Sequence, residues 1–130
     1  MRVYDGNKIK SEMSLFQLNN LDIIQNTYSK EILVFGELEI NSIERSVSLN
    51  KEQVLFTSKE FEILFFLASY PGQVFTHRQI YETVWGKEYF CDEGNVTAHI
   101  GHIRKKIETD PRNPVFIQTV RGIGYKFAKK

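Results

Sequence analysis

VTAHIGHIRKKI, residues 96–107, is the most informative segment of this 130-residue sequence. Its apolar residues fall within about a quarter of a helical wheel at 100° per residue, so they form one stripe. These residues are Val96, Ile100, Ile103 and Ile107. The opposite face carries Ala98, Gly101, His102 and Lys105, flanked by Thr97 and Arg104 on one side and by His99 and Lys106 on the other. The segment predicts a helix from about Val96 to Glu108 that is buried on one face and basic on the other.

The sequence that follows this helix is typical of a β-hairpin. Pro111 and Pro114 end the helical region. The segments FIQTV (116–120) and YKF (125–127) then flank the Gly-containing loop RGIG (121–124). Two short strands around such a loop predict a hairpin, and Arg121 is expected near its tip.

Two further helices are predicted upstream, each introduced by a capping box. Thr57–Glu60 and Thr76–Gln79 both have the pattern in which the threonine and the acidic or amide residue cap each other's N–H groups. An apolar stripe follows each box, Pro71-Gly72 ends the first helix and Gly86 caps the second. Residues 87–94 are expected to be a loop.

Short apolar segments earlier in the chain predict a small antiparallel sheet. They are residues 33–35, 38–40, 47–49 and 54–56, separated by turn residues. Residues 1–30 have no clear period and are interpreted as an N-terminal extension of uncertain structure. Residues 31–130 then form one domain of the α+β class: a winged helix-turn-helix with an N-terminal antiparallel sheet, three helices and a C-terminal hairpin wing.

Charge is distributed unevenly along the chain. Residues 31–94 contain five Lys/Arg and eleven Asp/Glu, whereas residues 95–130 contain eight Lys/Arg and two Asp/Glu. The basic segment is also the one that contains the third helix and the hairpin, and basic surfaces attract phosphate. The major groove of DNA admits one α-helix, and a narrow minor groove attracts arginine. This distribution favours binding to duplex DNA.

Several other classes of protein are not indicated. Cys91 is the single cysteine, so no internal disulfide and no CxxC zinc motif exists, which fits a reducing cytoplasm. No apolar run is long enough to span a membrane, and the N-terminus lacks the apolar core of a signal peptide. His99 and His102 have no carboxylate at a useful spacing for a metal site. We find no catalytic motif and expect no enzymatic activity, no cofactor and no small-molecule substrate.

The sequence also resembles the OmpR/PhoB-type effector domains of bacterial response regulators. The resemblance covers about residues 33–128 in order, with no large gap. Its signals are LFTSKEF (55–61), PGQVFT (71–76), VWG (84–86), VTAHI (96–100), IRKKI (103–107) and IQTVRGIGY (117–125). No single motif is decisive, but the ordered set, which ends in TVRGIGY, is highly specific.

The resemblance implies sequence-specific DNA binding and control of transcription, with the third helix in the major groove and the wing in the minor groove. We expect Arg104, Lys105 and Thr119 to contact phosphates, Ala98, His102 and Lys105 to face bases, and Arg121 to enter the minor groove. Thr97, His99 and Gly101 complete the expected DNA-binding set. The family often has Asp at the position of Thr97 and a long polar residue near Gly101.

The resemblance also implies protein partners. Two copies are expected to bind direct repeats head to tail. The loop at about residues 86–95 is expected to contact RNA polymerase through Lys87, Glu88, Tyr89, Asp92 and Glu93. Such effector domains usually follow a phosphorylatable receiver domain, which 30 residues cannot form, so the chain is either an excised effector or a stand-alone member.

One alternative remains open. Gly101 removes a side chain that would read bases, and the half of the domain before it is acidic. Both features also fit a protein-interaction module that has kept the winged fold and lost specific DNA readout.

Overall fold

The computed structural model describes residues 32–89 and 93–129, with the backbone alone at Glu93. Within these ranges the chain forms three helices and seven strands. The strands are β1 (Ile32–Phe35), β2 (Leu38–Asn41), β3 (Ser46–Leu49), β4 (Glu52–Val54), β5 (Val74–Thr76), β6 (Ile117–Val120) and β7 (Gly124–Phe127); the helices are α1 (Ser58–Ala68), α2 (His77–Trp85) and α3 (Glu93–Ile107). The extension expected at residues 1–30 lies outside the described residues. All side-chain contacts reported below lie within one compact unit, residues 33–40 and 44–129.

The N-terminal sheet has the strand order β1-β2-β3-β4. Its last two strands are antiparallel, with Leu49 opposite Glu52, so only Asn50 and Lys51 form the connecting turn. Both turn residues have positive φ, 54° and 68°, as the tight turns that match strand twist require. The fourth strand was predicted at residues 54–56 from their apolar character, which was wrong by two residues. The short turn starts the strand earlier and leaves Leu55 79% exposed.

Both predicted capping boxes are confirmed. At α1, the N–H of Glu60 donates to Thr57 Oγ1 (3.3 Å), and the N–H of Thr57 donates to Glu60 Oε1 (3.0 Å). At α2, Thr76 and Gln79 make the equivalent pair of hydrogen bonds at 3.0 and 2.9 Å. Gly86 ends α2 with φ 70°, a left-handed conformation that glycine adopts without strain. These local interactions fix where both helices begin and where α2 ends.

Helix α3 places its apolar stripe in the core, as its sequence predicts. The four side chains of the stripe are 0–2% exposed; they are Val96, Ile100, Ile103 and Ile107. The helix begins at Glu93, three residues before the predicted start at Val96, so the end of the expected loop is helical. None of the described helices is both long and apolar enough to cross a lipid bilayer.

The C-terminal hairpin belongs to a second sheet with the order β5-β7-β6. The sequence did not predict β5, which is three residues long and pairs with β7, about 50 residues later in the chain. Where these two strands pair, a Cβ atom on Gly124 would lie 1.9 Å from the carbonyl oxygen of Phe75. Only glycine permits this approach, so Gly124 fixes the wing against the start of α2.

Candidate nucleic-acid interface

The solvent-facing side of α3 forms the centre of the candidate interface. The exposed residues on this side are Thr97, Ala98, His102 and Lys105; Gly101, which has no side chain, is half-buried. Because the opposite face is fully buried, the core holds the helix while this side meets solvent. The exposed face therefore has small residues in its middle and a cation toward the C-terminus of the helix.

Arg104 joins α3 to the wing. Its Nε and Nη2 donate to the carbonyl oxygen of Ile117 (3.1 and 2.9 Å), and Nη2 also donates to Thr119 Oγ1 (2.8 Å). The guanidinium carbon lies 5.5 Å from the centre of the Tyr125 ring. Burial lowers the pKa of Arg104, but an arginine remains charged at any physiological pH. Two residues expected to contact phosphates, Arg104 and Thr119, are thus brought together.

Glu108 makes a second connection between α3 and the wing, and sequence reasoning missed it. Its carboxylate is largely buried and accepts the N–H groups of Val115 (2.7 Å), Phe116 (2.9 Å) and Ile117 (2.9 Å). A signal was available, because a glutamate at the C-terminus of a helix opposes the helix dipole. That unfavourable position indicates another partner for the carboxylate, and here the partners are the N–H groups that lead into β6.

Glu60 connects α3 to α1. Besides capping α1, its carboxylate accepts a hydrogen bond from Lys106 Nζ (2.6 Å) and lies 3.7 Å from His102 Nδ1. Burial raises the pKa of the Glu60 carboxyl. Hydrogen bonds from Lys106 and the Thr57 N–H, with the nearby charges of Lys106 and His102, outweigh burial, so the pKa lies below its usual value. Lys106, which flanks the polar face of α3, is thus paired with this carboxylate.

Thr97 lies at a junction of α2, α3 and the wing. Its Oγ1 is 3.3 Å from His77 Nε2 and 3.4 Å from the Tyr125 hydroxyl. The rings of His77 and Tyr125 meet edge to face, with centroids 5.2 Å apart. Thr97, an expected DNA-binding residue, therefore also has structural partners within the domain.

His99 packs beside Trp85. Its Nδ1 donates to the Asn95 carbonyl oxygen (2.8 Å), which fixes the orientation of the ring. The other ring nitrogen, Nε2, takes no part in this bond. The ring meets Trp85 edge to face at 5.2 Å, and Trp85 stacks on Tyr81 at 4.9 Å. Trp85 is half-buried, and Lys59 Nζ lies 5.5 Å from the ring centre. This cluster supports the start of α3 from the side of α2.

Arg121 lies in the turn between β6 and β7, where the sequence predicted the wing tip. The turn is closed by a hydrogen bond from the Ile123 N–H to the Val120 carbonyl oxygen (2.9 Å), and Gly122 has φ 76°. Arg121 and Ile123 are both exposed. The tip therefore presents one arginine and one branched apolar side chain to solvent.

The structure describes part of the loop expected to contact RNA polymerase. Lys87 and Glu88 are exposed, whereas Tyr89 is buried against α2, where its N–H donates to Glu82 Oε2 (3.2 Å). Asp92 lies outside the described residues, and Glu93 is the first residue of α3.

Comparison with known proteins gives a consistent result. Residues 51–127 match the family model described as the C-terminal part of transcriptional regulatory proteins. The chain is 42% identical over 96 residues to the DNA-binding response regulator MtrA of Mycobacterium tuberculosis (74% of this chain, 42% of the relative). The chain spans less than half the length of the curated relatives it matches.

Solved structures show the same fold. The response regulator DrrB of Thermotoga maritima, an OmpR/PhoB homologue, superposes with a TM-score of 0.74 at 35% identity, over 86% of this chain and 51% of that one. The DNA-binding domain of RstA from Klebsiella pneumoniae, solved in complex with the RstA box, gives 0.70 at 32% identity, over 75% of this chain and 97% of that domain.

Proposed function

The chain belongs to the family of C-terminal DNA-binding domains of OmpR/PhoB-type transcriptional regulators, and on this basis we propose that it binds specific duplex DNA sequences and controls transcription. In this proposal α3 enters the major groove and the β6–β7 wing enters the adjacent minor groove. The protein would act in the cytoplasm as the output part of a two-component response regulator.

One observation carries this proposal: the exposed face of α3 and the basic wing are joined by Arg104. The helix is held by a fully buried stripe, so its other face is available to a groove about 12 Å wide. Arg104, Lys105 and Arg121 place three positive charges along the same helix and wing. Such an arrangement favours a ligand with closely spaced negative charges on either side of a groove.

The expected residue roles fit these positions. Ala98, His102 and Lys105 are exposed on α3 and are proposed to face bases. Arg104 and Thr119 are proposed to share a phosphate, which Lys105 also contacts. The hydrogen bonds of Arg104 to β6 use the N–H groups of Nε and Nη2, so the Nη1 group remains to donate to a phosphate.

The remaining members of the set are proposed to contact the DNA backbone, to allow close approach of the helix, or to enter the minor groove. Thr97 and His99 each make a hydrogen bond within the domain, and each would contact the DNA backbone through its remaining hydrogen-bonding group. Gly101 would let the helix backbone approach the groove closely. Arg121 at the wing tip would enter the minor groove, where the negative potential is strongest over A·T-rich DNA.

Two interactions with proteins complete the proposal. Two copies would bind direct repeats head to tail. The loop after α2 would contact RNA polymerase, and among its described residues the exposed Lys87 and Glu88 support this role best.

Selection of bound duplexes from a random DNA pool, followed by a salt titration of the selected sequence, tests the proposal. We expect an enriched direct-repeat motif. We also expect the logarithm of the binding constant to fall with the logarithm of salt by about 0.9 for each phosphate neutralised. Binding that depends on salt but selects no motif would remove sequence specificity from the proposal.

A second function is supported by the middle of the α3 face. Ala98 and Gly101 offer at most a methyl group there, and His102 lies beside Glu60. A protein-interaction module that keeps the winged fold without reading bases would have this surface. It predicts negligible duplex binding even at low salt, together with a stable protein partner.

A further inference from the structure

We propose that the loop between α3 and β6 forms an additional site for a DNA backbone phosphate, with Arg112 as the residue that binds it. The inference rests on the proposed DNA-binding function and extends the interface beyond the expected residues. The site is an open depression of about 640 Å³ between this loop and β6. Its polar lining consists of Arg104, Arg112, Asn113, Gln118 and Thr119, and the remaining lining residues are two prolines of the loop.

The chemistry of the lining favours an anion. Arg104 and Arg112 carry positive charge, and the other three polar side chains have hydrogen-bond donors. No carboxylate is among the described residues that line the depression. Arginine binds phosphate oxygens in a planar, two-pronged geometry, so two arginines facing one depression suit a phosphodiester backbone.

The depression adjoins the phosphate position already proposed. Arg104 and Thr119, joined by a hydrogen bond of 2.8 Å, form its wall on the side of β6. Arg112 and Asn113 belong to the loop on the other side. A DNA strand that passes Arg104 and Thr119 would therefore meet Arg112 at a nearby phosphate.

The backbone of the loop is held in one conformation. Asp110 begins a turn closed by a hydrogen bond from the Asn113 N–H to its carbonyl oxygen (2.9 Å), with Pro111 at the second position, where its fixed φ suits the turn. The Asp110 carboxylate also accepts hydrogen bonds from the Arg112 N–H (3.1 Å) and Asn113 Nδ2 (2.9 Å). Ordering the loop on binding would therefore cost little entropy.

The Arg112 side chain itself is available. It is 92% exposed, and its nearest partner is the Asp110 carboxylate, 3.8 Å from Nε. An exposed ion pair at this distance contributes little to stability. A phosphate can replace it without breaking any strong interaction, and the loop backbone stays fixed by the other hydrogen bonds of Asp110.

The test compares Arg112→Gln with Lys51→Gln, a matched loss of one charge in the β3–β4 turn, beside Glu37 and Glu39. Affinity for a single selected half-site is measured over a range of salt concentrations. We expect Arg112→Gln to reduce the salt slope by about 0.9. If the variant and the wild type bind equally at 1 M salt, this change makes the variant about eightfold weaker at 0.1 M salt. Lys51→Gln should leave both slope and affinity unchanged, and Arg112→Lys should keep the slope. All three variants should unfold at the wild-type temperature.

A scan with neutral methylphosphonate groups then identifies the phosphate. Replacement of one particular phosphate should weaken DNA binding by the wild-type protein and have no effect on DNA binding by Arg112→Gln. Equal binding by Arg112→Gln and the wild type would overturn the inference and leave the proposed function intact. A loss seen only on tandem sites would overturn it in favour of contact with a second copy. A wild-type protein that binds no duplex at low salt would overturn both proposals.

Discussion

Replacing Glu108 tests whether its carboxylate holds the wing to α3. Two physical effects predict opposite signs for Glu108→Ala. Removal of a negative charge from the C-terminus of a helix should stabilise by about 0.3–1 kcal/mol. Loss of the acceptor for three N–H groups should destabilise, so the sign of the change decides which effect dominates.

The magnitude follows from the burial of the three donors. The Ile117 N–H is buried and would lose its partner, which costs about 1–3 kcal/mol. The donors of Val115 and Phe116 lie in a partly buried setting that water can reach, so each costs about 0.5–1 kcal/mol. After subtraction of the dipole effect, we expect the free energy of unfolding to fall by about 1–5 kcal/mol, with a central value of about 3 kcal/mol. At that central value, the midpoint of thermal unfolding should fall by roughly 12–24 °C.

Urea unfolding followed by circular dichroism measures this change, and amide hydrogen exchange at Ile117 localises it. Glu108→Gln keeps one acceptor oxygen and should lie between the wild type and Glu108→Ala. Glu88→Ala removes an exposed carboxylate and should change stability by no more than about 0.5 kcal/mol. A Glu108→Ala protein that is as stable as the wild type, or more stable, would refute the role assigned to Glu108.

Three further predictions follow from other contacts. Because the pKa of Glu60 is lowered in the folded protein, its stabilisation is present above the unfolded pKa and is lost as pH falls through the folded pKa; Glu60→Gln should therefore flatten the decline of urea stability below about pH 4.5. Gly124→Ala should destabilise by more than about 3 kcal/mol or prevent folding, since its Cβ would overlap the Phe75 carbonyl oxygen, whereas Ala at Gly94, which has open space around it, should be tolerated. Arg121→Ala should weaken DNA binding and reduce any preference for A·T pairs beside the major-groove site, as measured by competition between duplexes; unchanged affinity and preference would remove the wing from the mechanism.

Local sequence patterns predicted most of the fold. The two capping boxes and the apolar stripe of α3 depend on residues within about three turns of each other, and the structure confirms all three. Strand β5 was missed because three residues give too short a pattern, and its partner β7 lies about 50 residues later in the chain. The start of β4 was predicted too late because the preceding turn includes Lys51. Lys51 has a positive φ, and a lysine in the sequence does not indicate such a conformation.

The candidate site was harder to predict where one side chain has partners in distant segments. Glu60 was recognised as a cap, but its bond to Lys106 spans 46 residues and no local pattern reveals it. Arg104 was expected at a phosphate, whereas its bonds to Ile117 and Thr119 depend on the register of a hairpin that packs against the helix. Exposed residues such as Lys105 and Arg121 have few competing partners, so their positions followed directly from the helix and hairpin patterns.

The shared use of Arg104 and Glu108 by helix and hairpin has a geometric consequence. Arg104 in α3 and Glu108 directly after it both bind Ile117, the first residue of β6, so two separate side chains fix the helix to the wing. In a DNA complex, the distance between the two groove contacts would then be set by the protein, and the duplex would have to supply the matching groove width and twist. Base steps that the protein does not contact would then influence affinity, because bending or twisting them to bring the grooves to that spacing costs energy.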